Sequence, residues 1–244
     1  MNGYVESSAN RTTARFIDAV LRLQPKLAVF DCDGTLWAGD AGEGFFDWEL
    51  KRGLVSDEIV RWARPRYADY KAGKVSEDDM CGEMVTMHRG LAETVVQQAA
   101  RQFFEENFAW KIFPEMRGLV HRLRETGCDV WAISSTNEWV IRAAMKHCGI
   151  DERNVLAAAV RIQNGLVTDR LIRVPSGEGK AKAIREVIRR DPDAAFGNSR
   201  WDVEMLQMAR HAFAVNPNTD LEESARERRW LIYWPDGCQP ATKS

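Results

Sequence analysis

Two aspartates stand two residues apart at the end of an apolar run, in "KLAVFDCDGTLWAGD", Lys26 to Asp40. Leu27, Ala28, Val29 and Phe30 read as a buried strand, and Asp31 and Asp33 follow where that strand must end. Two carboxylates so close repel each other, and each resists losing its water. A positive charge is therefore expected between them. Three further polar clusters share this position beyond a strand or at a helix start. They are Ser134-Ser135-Thr136-Asn137 after "DVWAI", Lys180 after "PSGEG", and Gly197-Asn198-Ser199-Arg200-Trp201-Asp202 after "AAF". Each alone has a plain structural explanation: a turn, an N-cap, a solvated lysine, a loop. Together they supply a carboxylate nucleophile, a second acid, hydroxyl and N–H donors, a cation, and oxygen ligands for a hard metal.

The elements that must position these groups alternate. Residues 12–23 place Phe16, Ile17, Val20 and Leu21 on one helical face, and Pro25 closes the segment before the strand at 26–31. From about 44 to 112 the pattern is helical throughout. Gly53, Gly73 and Gly90 fall between pieces as C-caps, and Ser56 and Ser76 open helices with acids in the first turn. After Pro114 come a helix at 114–126, a strand at 128–134, a helix at 137–148, and a strand at 155–161 with an Asn164-Gly165 hairpin turn into "LVTDRLIRV". A helix at 179–190, a strand at 194–197, a helix at 201–210, a strand at 211–215, a charged helix near 220–228 and a last strand, "WLIYW", complete the chain, with a loose tail after Trp234. Such alternation predicts an α/β fold: a doubly wound parallel, Rossmann-like sheet with an all-helical cap inserted after the first strand. Residues 1–43 and 113–244 would form the core domain and 44–112 the cap. Ligands of such sheets bind beyond the carboxyl ends of the strands, on the rim that carries the four clusters.

Composition excludes several classes. The chain has 244 residues, 45% hydrophobic and 29% charged, as expected of a globular protein that needs no metal or disulfide staple. A net charge of −2 gives no electrostatic case for nucleic acid or an anionic membrane as partner. No apolar run approaches the roughly 18 residues that span a bilayer, and "MNGYVESSANRTTARF" lacks the apolar centre of a secretory signal. Five cysteines, never spaced C-x-x-C, fit a reducing compartment, and the expectation is a cytoplasmic protein. Oligomeric state leaves no mark in the sequence.

Asp31-x-Asp33-Gly34-Thr35, Ser134, Lys180 and Gly197-x-x-x-x-Asp202, in this order, resemble the four motifs of the haloacid dehalogenase superfamily. The helical insertion after the first motif, "RIQNGLVTDRL" and "GEGKAKAI" are similar to its phosphoserine-phosphatase-like branch. The resemblance implies a Mg²⁺-dependent phosphatase acting on a small phosphorylated metabolite. Asp31 would attack phosphorus and form an aspartyl-phosphate. Asp33 would protonate the leaving oxygen and then activate water. Gly34, Thr35, Ser134, Ser135 and Lys180 would surround the transferring phosphoryl group, and Asp40 would face the substrate. Asp31, the Asp33 main-chain carbonyl, Asn198 and Asp202 would hold Mg²⁺.

The sequence departs from that branch in two places. Asn198 stands where an aspartate usually follows the glycine of the fourth motif, so the site loses one negative charge. Phosphoserine phosphatases grip the substrate carboxylate with a cap arginine, and a gapless alignment puts Met84 at that position, leaving Arg64, Arg66 or Arg89 to substitute. Among nine tryptophans, Trp37 and Trp139 lie just past the first two motifs and suggest an aromatic cage for a phosphocholine-like group, against the plainer reading as core. Met80, Met84 and Met87 at helical spacing read as cap core, the four histidines share no ligand spacing, and "ARERR" reads as a solvated helix face. Rival readings are a phosphotransferase using the same intermediate, and a phosphate-ligand binding protein that has lost the chemistry.

Overall fold

The computed structural model describes residues 8–238. Helix α1 (Ser8–Arg22) begins ahead of the predicted residue 12 and buries Phe16, Ile17 and Val20. Strand β1 (Leu27–Phe30) is buried at every position. Leu27 and Val29 enter the apolar core on one face, Ala28 and Phe30 the core on the other. That two-sided cover explains the unbroken apolar run.

Four helices follow: α2 (Ala41–Arg52), α3 (Asp57–Lys71), α4 (Glu77–Thr86) and α5 (Glu93–Asn107). Ser56 and Ser76 accept hydrogen bonds from the backbone N–H groups of Ile59 and Asp79, so both act as N-caps. Gly53, at φ +69°, closes α2 in the left-handed conformation that glycine adopts without strain. Gly90 is no C-cap, because α4 ends at Thr86 with Met87 as its cap, and the Gly90 N–H reaches forward to the Val167 carbonyl. The remaining elements are α6 (Pro114–Glu125), β2 (Asp129–Asn137), α7 (Glu138–Cys148), β3 (Val155–Gln163), β4 (Leu166–Arg173), α8 (Glu178–Ala183), β5 (Ala194–Gly197), α9 (Val203–Met208), β6 (His211–Val215), α10 (Thr219–Arg228) and β7 (Leu231–Tyr233).

Among the described residues the strands form one sheet in the order β4-β3-β2-β1-β5-β6-β7. All neighbours pair parallel except β3 and β4, the hairpin. With β2 and β5 flanking β1, the carboxyl ends carrying Asp31, Ser134 and Gly197 meet on one rim. Beneath that rim the rings of Phe30, Phe196 and Phe213 stack across β1, β5 and β6 at centroid distances of 4.2 and 4.8 Å. These rings fix the depth and direction of the residues that follow them.

Three boundaries differ from the sequence reading. β2 runs to Asn137, because the chain past Ile133 shifts register and still pairs with β3 at Ala158. The expected helix 179–190 is α8 continued by a wide turn, Ile184–Ile188, closed by Arg189 at φ +59°. The expected helix 201–210 opens with a tight turn, Arg200–Asp202, because the Asp202 carboxylate draws in the N–H groups of Asn198 and Ser199. The tail is held as far as it is described: Asp236 N donates to Glu115, and Cys238 packs on the core. Residues 239–244 lie outside the described range.

The helical block sits over the rim. The main chain leaves and re-enters the sheet domain side by side, with Ala38 N donating to Lys111 O and Phe113 N to Leu36 O. Phe45, Val85, Val96, Phe103 and Phe104 join the core that includes Trp139 and Val140 of α7. Phe46, Leu50, Val55, Ala63, Val75, Met80 and Met87 form a smaller core of the block's own, which absorbs the methionine stripe. The β3–β4 hairpin also grips the block: Glu93 N donates to Gly165 O and Val167 N to Leu91 O. No helix among the described residues is long and apolar enough to cross a membrane.

Candidate active site

Asp31 hangs from the end of β1, its N–H bonded to Phe196 O of β5 at 2.8 Å. One carboxylate oxygen accepts from Lys180 Nζ at 2.6 Å and the other from Thr35 Oγ1 at 2.8 Å. Burial, then the nearby Asp202 charge, pushes its pKa up to about 6 against the pull of Lys180. Lys180 bridges Asp31 and Asp202, the latter at 2.5 Å. All three are buried, at 6% exposure or less. Burial alone would discharge the lysine, but Asp202 and Asp31 outweigh it and hold the ammonium above its ordinary range. A buried carboxylate–lysine–carboxylate chain holds its geometry tightly, since removing one member strands a charge.

Asp33 is gripped differently. Its Oδ1 accepts from Ala41 N at 2.6 Å and Trp37 Nε1 at 2.8 Å, and its Oδ2 from Thr136 Oγ1 at 2.8 Å. Desolvation and then the Asp40 charge lift it to about 8, against these donors. A carboxyl at that value holds its proton at neutral pH, as a general acid needs. Trp37 is fully buried and Trp139 nearly so, and neither lines the cavity, so these two form core and not an aromatic cage. Trp37 is instead the donor that aims Asp33.

The backbone around these side chains is close-fitted. Gly34 lies at φ +76°, and a Cβ there would sit 1.9 Å from Asn198 Nδ2. Only glycine lets the first and fourth motifs touch. Gly34 O also accepts from Asn216 Nδ2 at 3.1 Å, a contact across the sheet that no local pattern marks. Asp202 uses one oxygen on Lys180 and the other on Asn198 N and Ser199 N, both at 2.9 Å. Its place is therefore behind the site, organising the lysine and the loop.

A cavity of about 390 Å³ opens over Asp31 and Asp33. Gly34, Asp40, Ser134, Ser135, Lys180 and Asn198 line it with them, whereas Thr35 and Asp202 stand one layer back. Ser134 is 2% exposed and accepts from Thr136 N at 3.1 Å. Asp40 caps α2 through Glu43 N at 2.8 Å. Thr136, Tyr70, Glu77 and Trp201 also line the cavity and were missed as site residues. Thr136 was visible as part of a hydroxyl run; Tyr70 and Glu77 carry no motif and are brought in by the packing of α3 and α4. The arginines expected to substitute in substrate binding do not: Arg66 is bound to Glu83 at 2.6 Å, Arg89 to Asp169 at 2.9 Å, and Arg64 is exposed on α3.

No group of three His, Cys, Asp or Glu side chains among the described residues could hold a metal alone. Asp31, Asp33 and Asn198 line the cavity together and carry carboxylate, main-chain and amide oxygens, a set that suits Mg²⁺. That ion commonly takes one or two carboxylates and completes its shell with water and substrate phosphate, so the residues fit it.

The sequence profile of the haloacid dehalogenase-like hydrolases matches residues 28–207, and the chain belongs to that family. A histidinol-phosphatase of Neisseria meningitidis is 26% identical, over 84% of this chain and 97% of its own. Phosphoserine phosphatase SerB1 of Mycobacterium tuberculosis is 27% identical over 84% of this chain and 69% of its own. Among solved structures, a Bordetella pertussis protein of unknown function superposes with a TM-score of 0.75 at 20% identity, over 85% of this chain and 97% of that one.

Proposed function

We propose that this hydrolase is a Mg²⁺-dependent phosphatase that cleaves a small phosphomonoester through an aspartyl-phosphate on Asp31. The observation that carries this reading is the pairing on one cavity floor of Asp31, tied to Lys180 at 2.6 Å, with Asp33, held by three donors of its own. Two carboxylates in environments this different can take two roles. Lys180 keeps Asp31 ionised for attack, while burial keeps Asp33 protonated.

In the first step an Asp31 oxygen forms a bond to phosphorus as the bond to the leaving oxygen breaks. Asp33 gives its proton to that oxygen, and an alcohol departs. In the second step the Asp33 carboxylate takes a proton from water, whose oxygen attacks phosphorus. The bond to Asp31 breaks, phosphate leaves and both carboxyls return to their starting states. Lys180 and Ser134, which line the cavity beside Asp31, would face the phosphoryl oxygens throughout, while the Gly34 N–H is taken by Trp37 O at 2.9 Å. Mg²⁺ on Asp31, Asn198 and the Asp33 carbonyl would supply charge neutralisation at those oxygens. Thr136 and Trp37 keep the Asp33 carboxyl aimed.

The relatives' names support phosphate-ester hydrolysis and span two leaving groups, histidinol and serine, both amines that differ in a carboxylate. Turnover of p-nitrophenyl phosphate with and without Mg²⁺ tests the reading. Metal-dependent phosphate release is expected; none in either condition would leave only a phosphate-binding protein.

A further inference from the structure

The wall facing the reaction floor is acidic and unpaired. Glu77, the first residue of α4, lines the cavity with Asp40 and Tyr70. Glu77 accepts from the Tyr70 hydroxyl, from Ser135 Oγ at 3.4 Å and from Cys81 Sγ at 3.7 Å, all neutral donors. Neither Glu77 nor Asp40 has a cationic partner among the described residues, although the surrounding chain is rich in ion pairs. Lys180 is the one cationic side chain lining this cavity among them, and it is already taken by Asp31 and Asp202. Partly desolvated carboxylates ordinarily find a counter-charge. Here the protein does not provide one.

The space beyond this wall is shaped for the rest of a substrate. A small notch behind Glu77 is lined by Met80, Cys81 and Met84, so the region nearest the acid offers apolar surface and no cation. On the other side Tyr70, Glu77 and Trp201 also border a second cavity of about 680 Å³, which continues to Ser176. Ser176 is an independent pointer. It is 3% exposed, lines that continuation, and its hydroxyl has no hydrogen-bond partner. A buried hydroxyl without a partner is rare unless something else fills the role.

We propose that Glu77, held by Tyr70 and Ser135 and seconded by Asp40, selects phosphomonoesters whose leaving group carries a protonated amine and no carboxylate. This rests on the phosphatase reading above and names its substrate class. An ammonium would complete the charge balance of the wall and donate N–H bonds to the free lone pairs of Glu77. A carboxylate in the same position would face two like charges with methionine beside it, since the cations Lys71 and Arg200 border only the second cavity. Ser176 would serve a further polar group of a longer leaving group.

The test is a matched series with Mg²⁺: O-phosphoethanolamine, O-phosphoserine, glycerol 3-phosphate, phosphocholine and p-nitrophenyl phosphate. The carboxylate-free amine is expected to exceed phosphoserine and glycerol 3-phosphate at least about tenfold in kcat/KM. Phosphocholine, which has the charge without N–H donors, should fall between. Glu77→Gln keeps the length and the acceptor for Tyr70, and should cut the amine-to-glycerol ratio about tenfold, mainly through KM. Glu77→Asp should recover part of it. Equal turnover of phosphoserine or the neutral ester, or an unaltered ratio in Glu77→Gln, overturns the proposal while p-nitrophenyl phosphate hydrolysis leaves the phosphatase reading standing. Loss of p-nitrophenyl phosphate hydrolysis in the wild type would overturn both.

Discussion

The floor and the cap wall of the cavity are both built of carboxylates, yet only the floor is given a cation, Lys180. On the floor every acid is answered: Asp31 by Lys180 and Thr35, Asp202 by Lys180 and two backbone N–H groups, Asp33 by three donors. On the cap wall Glu77 and Asp40 meet only neutral donors. A satisfied set is preorganised and does not need the substrate to hold its geometry. A wall with hydrogen bonds but no counter-charge gains most when a cation arrives. Under the proposed function, chemistry falls to the sheet rim and selection to the helices.

The largest effects should come from breaking the floor. Asp31→Asn removes the nucleophile with almost no change of shape, and turnover is expected to fall below about 1% of wild type. Steady-state assays on folded protein, checked by circular dichroism, measure this. Asp33→Asn should lower turnover by roughly 10²–10⁴-fold for alkyl phosphates, which need a proton on the leaving oxygen, and less for p-nitrophenyl phosphate. Equal losses on both substrates would remove Asp33 from the acid role.

The cap wall should respond less, and in specificity. Met84→Arg places a cation at the notch beside Glu77, and is expected to raise the phosphoserine-to-phosphoethanolamine ratio about tenfold. A flat ratio would mean that the notch does not read the leaving group. Asn198→Asp restores one charge near the phosphoryl site and should lower the Mg²⁺ concentration for half-maximal activity, by a few kcal/mol of binding at most. An unmoved midpoint in a Mg²⁺ titration would take Asn198 out of the metal's reach.

How much of this division the sequence disclosed follows from how each part is made. The floor was legible because its residues sit at or near strand ends: Asp31 and Asp33 after an unbroken apolar run, Ser134 toward the end of β2, Asn198 and Asp202 after β5. Strand ends are fixed by local pattern, so their rim could be inferred. Gly34 and Trp37 were also in view, but Trp37 looked like an aromatic platform and proved to be a hydrogen-bond donor to Asp33. The cap wall was invisible. Tyr70 and Glu77 are ordinary helix residues, and only the packing of α3 and α4 over the rim turns them toward Asp31. Asn216 illustrates the same limit, since its bond to Gly34 O spans the sheet. Lys180 was found as a lone cation, while its double engagement with Asp31 and Asp202 depended on tertiary structure.

A smaller effect should appear in stability. Glu49 of α2 and His88 are buried within the block at 2.5 Å, and the second ring nitrogen of His88 lies 3.2 Å from Val85 O. Both ring nitrogens face acceptors, so the pair retains a proton that a neutral imidazole and an ionised carboxylate would lack. Burial raises Glu49 above its ordinary value; burial lowers His88, but Glu49 outweighs it and the ring also ends up raised. Both shifts mean that the native state binds more protons than the unfolded chain, so stability is greatest at lower pH and declines as pH rises through the folded values. The decline attributable to one proton is at most about 1.4 kcal/mol per pH unit. Urea melts on either side of neutral pH should show a decline of this sign, shared with the raised Asp31 and Asp33, and Glu49→Gln should reduce it by the pair's part. A slope of opposite sign would contradict the arrangement.

In the proposed reaction Asp31 itself carries the phosphoryl group. Acid quenching of Asp33→Asn during turnover of p-nitrophenyl phosphate with Mg²⁺, followed by peptide mass spectrometry, tests it most directly. Without an effective base the second step slows and the intermediate accumulates. The expected result is the added mass of one phosphoryl group on the peptide containing Asp31, absent without Mg²⁺ and absent when Asp31→Asn is combined with Asp33→Asn. Substrate turnover with an unmodified Asp31 peptide, or a phosphoryl group found on another residue, would contradict it.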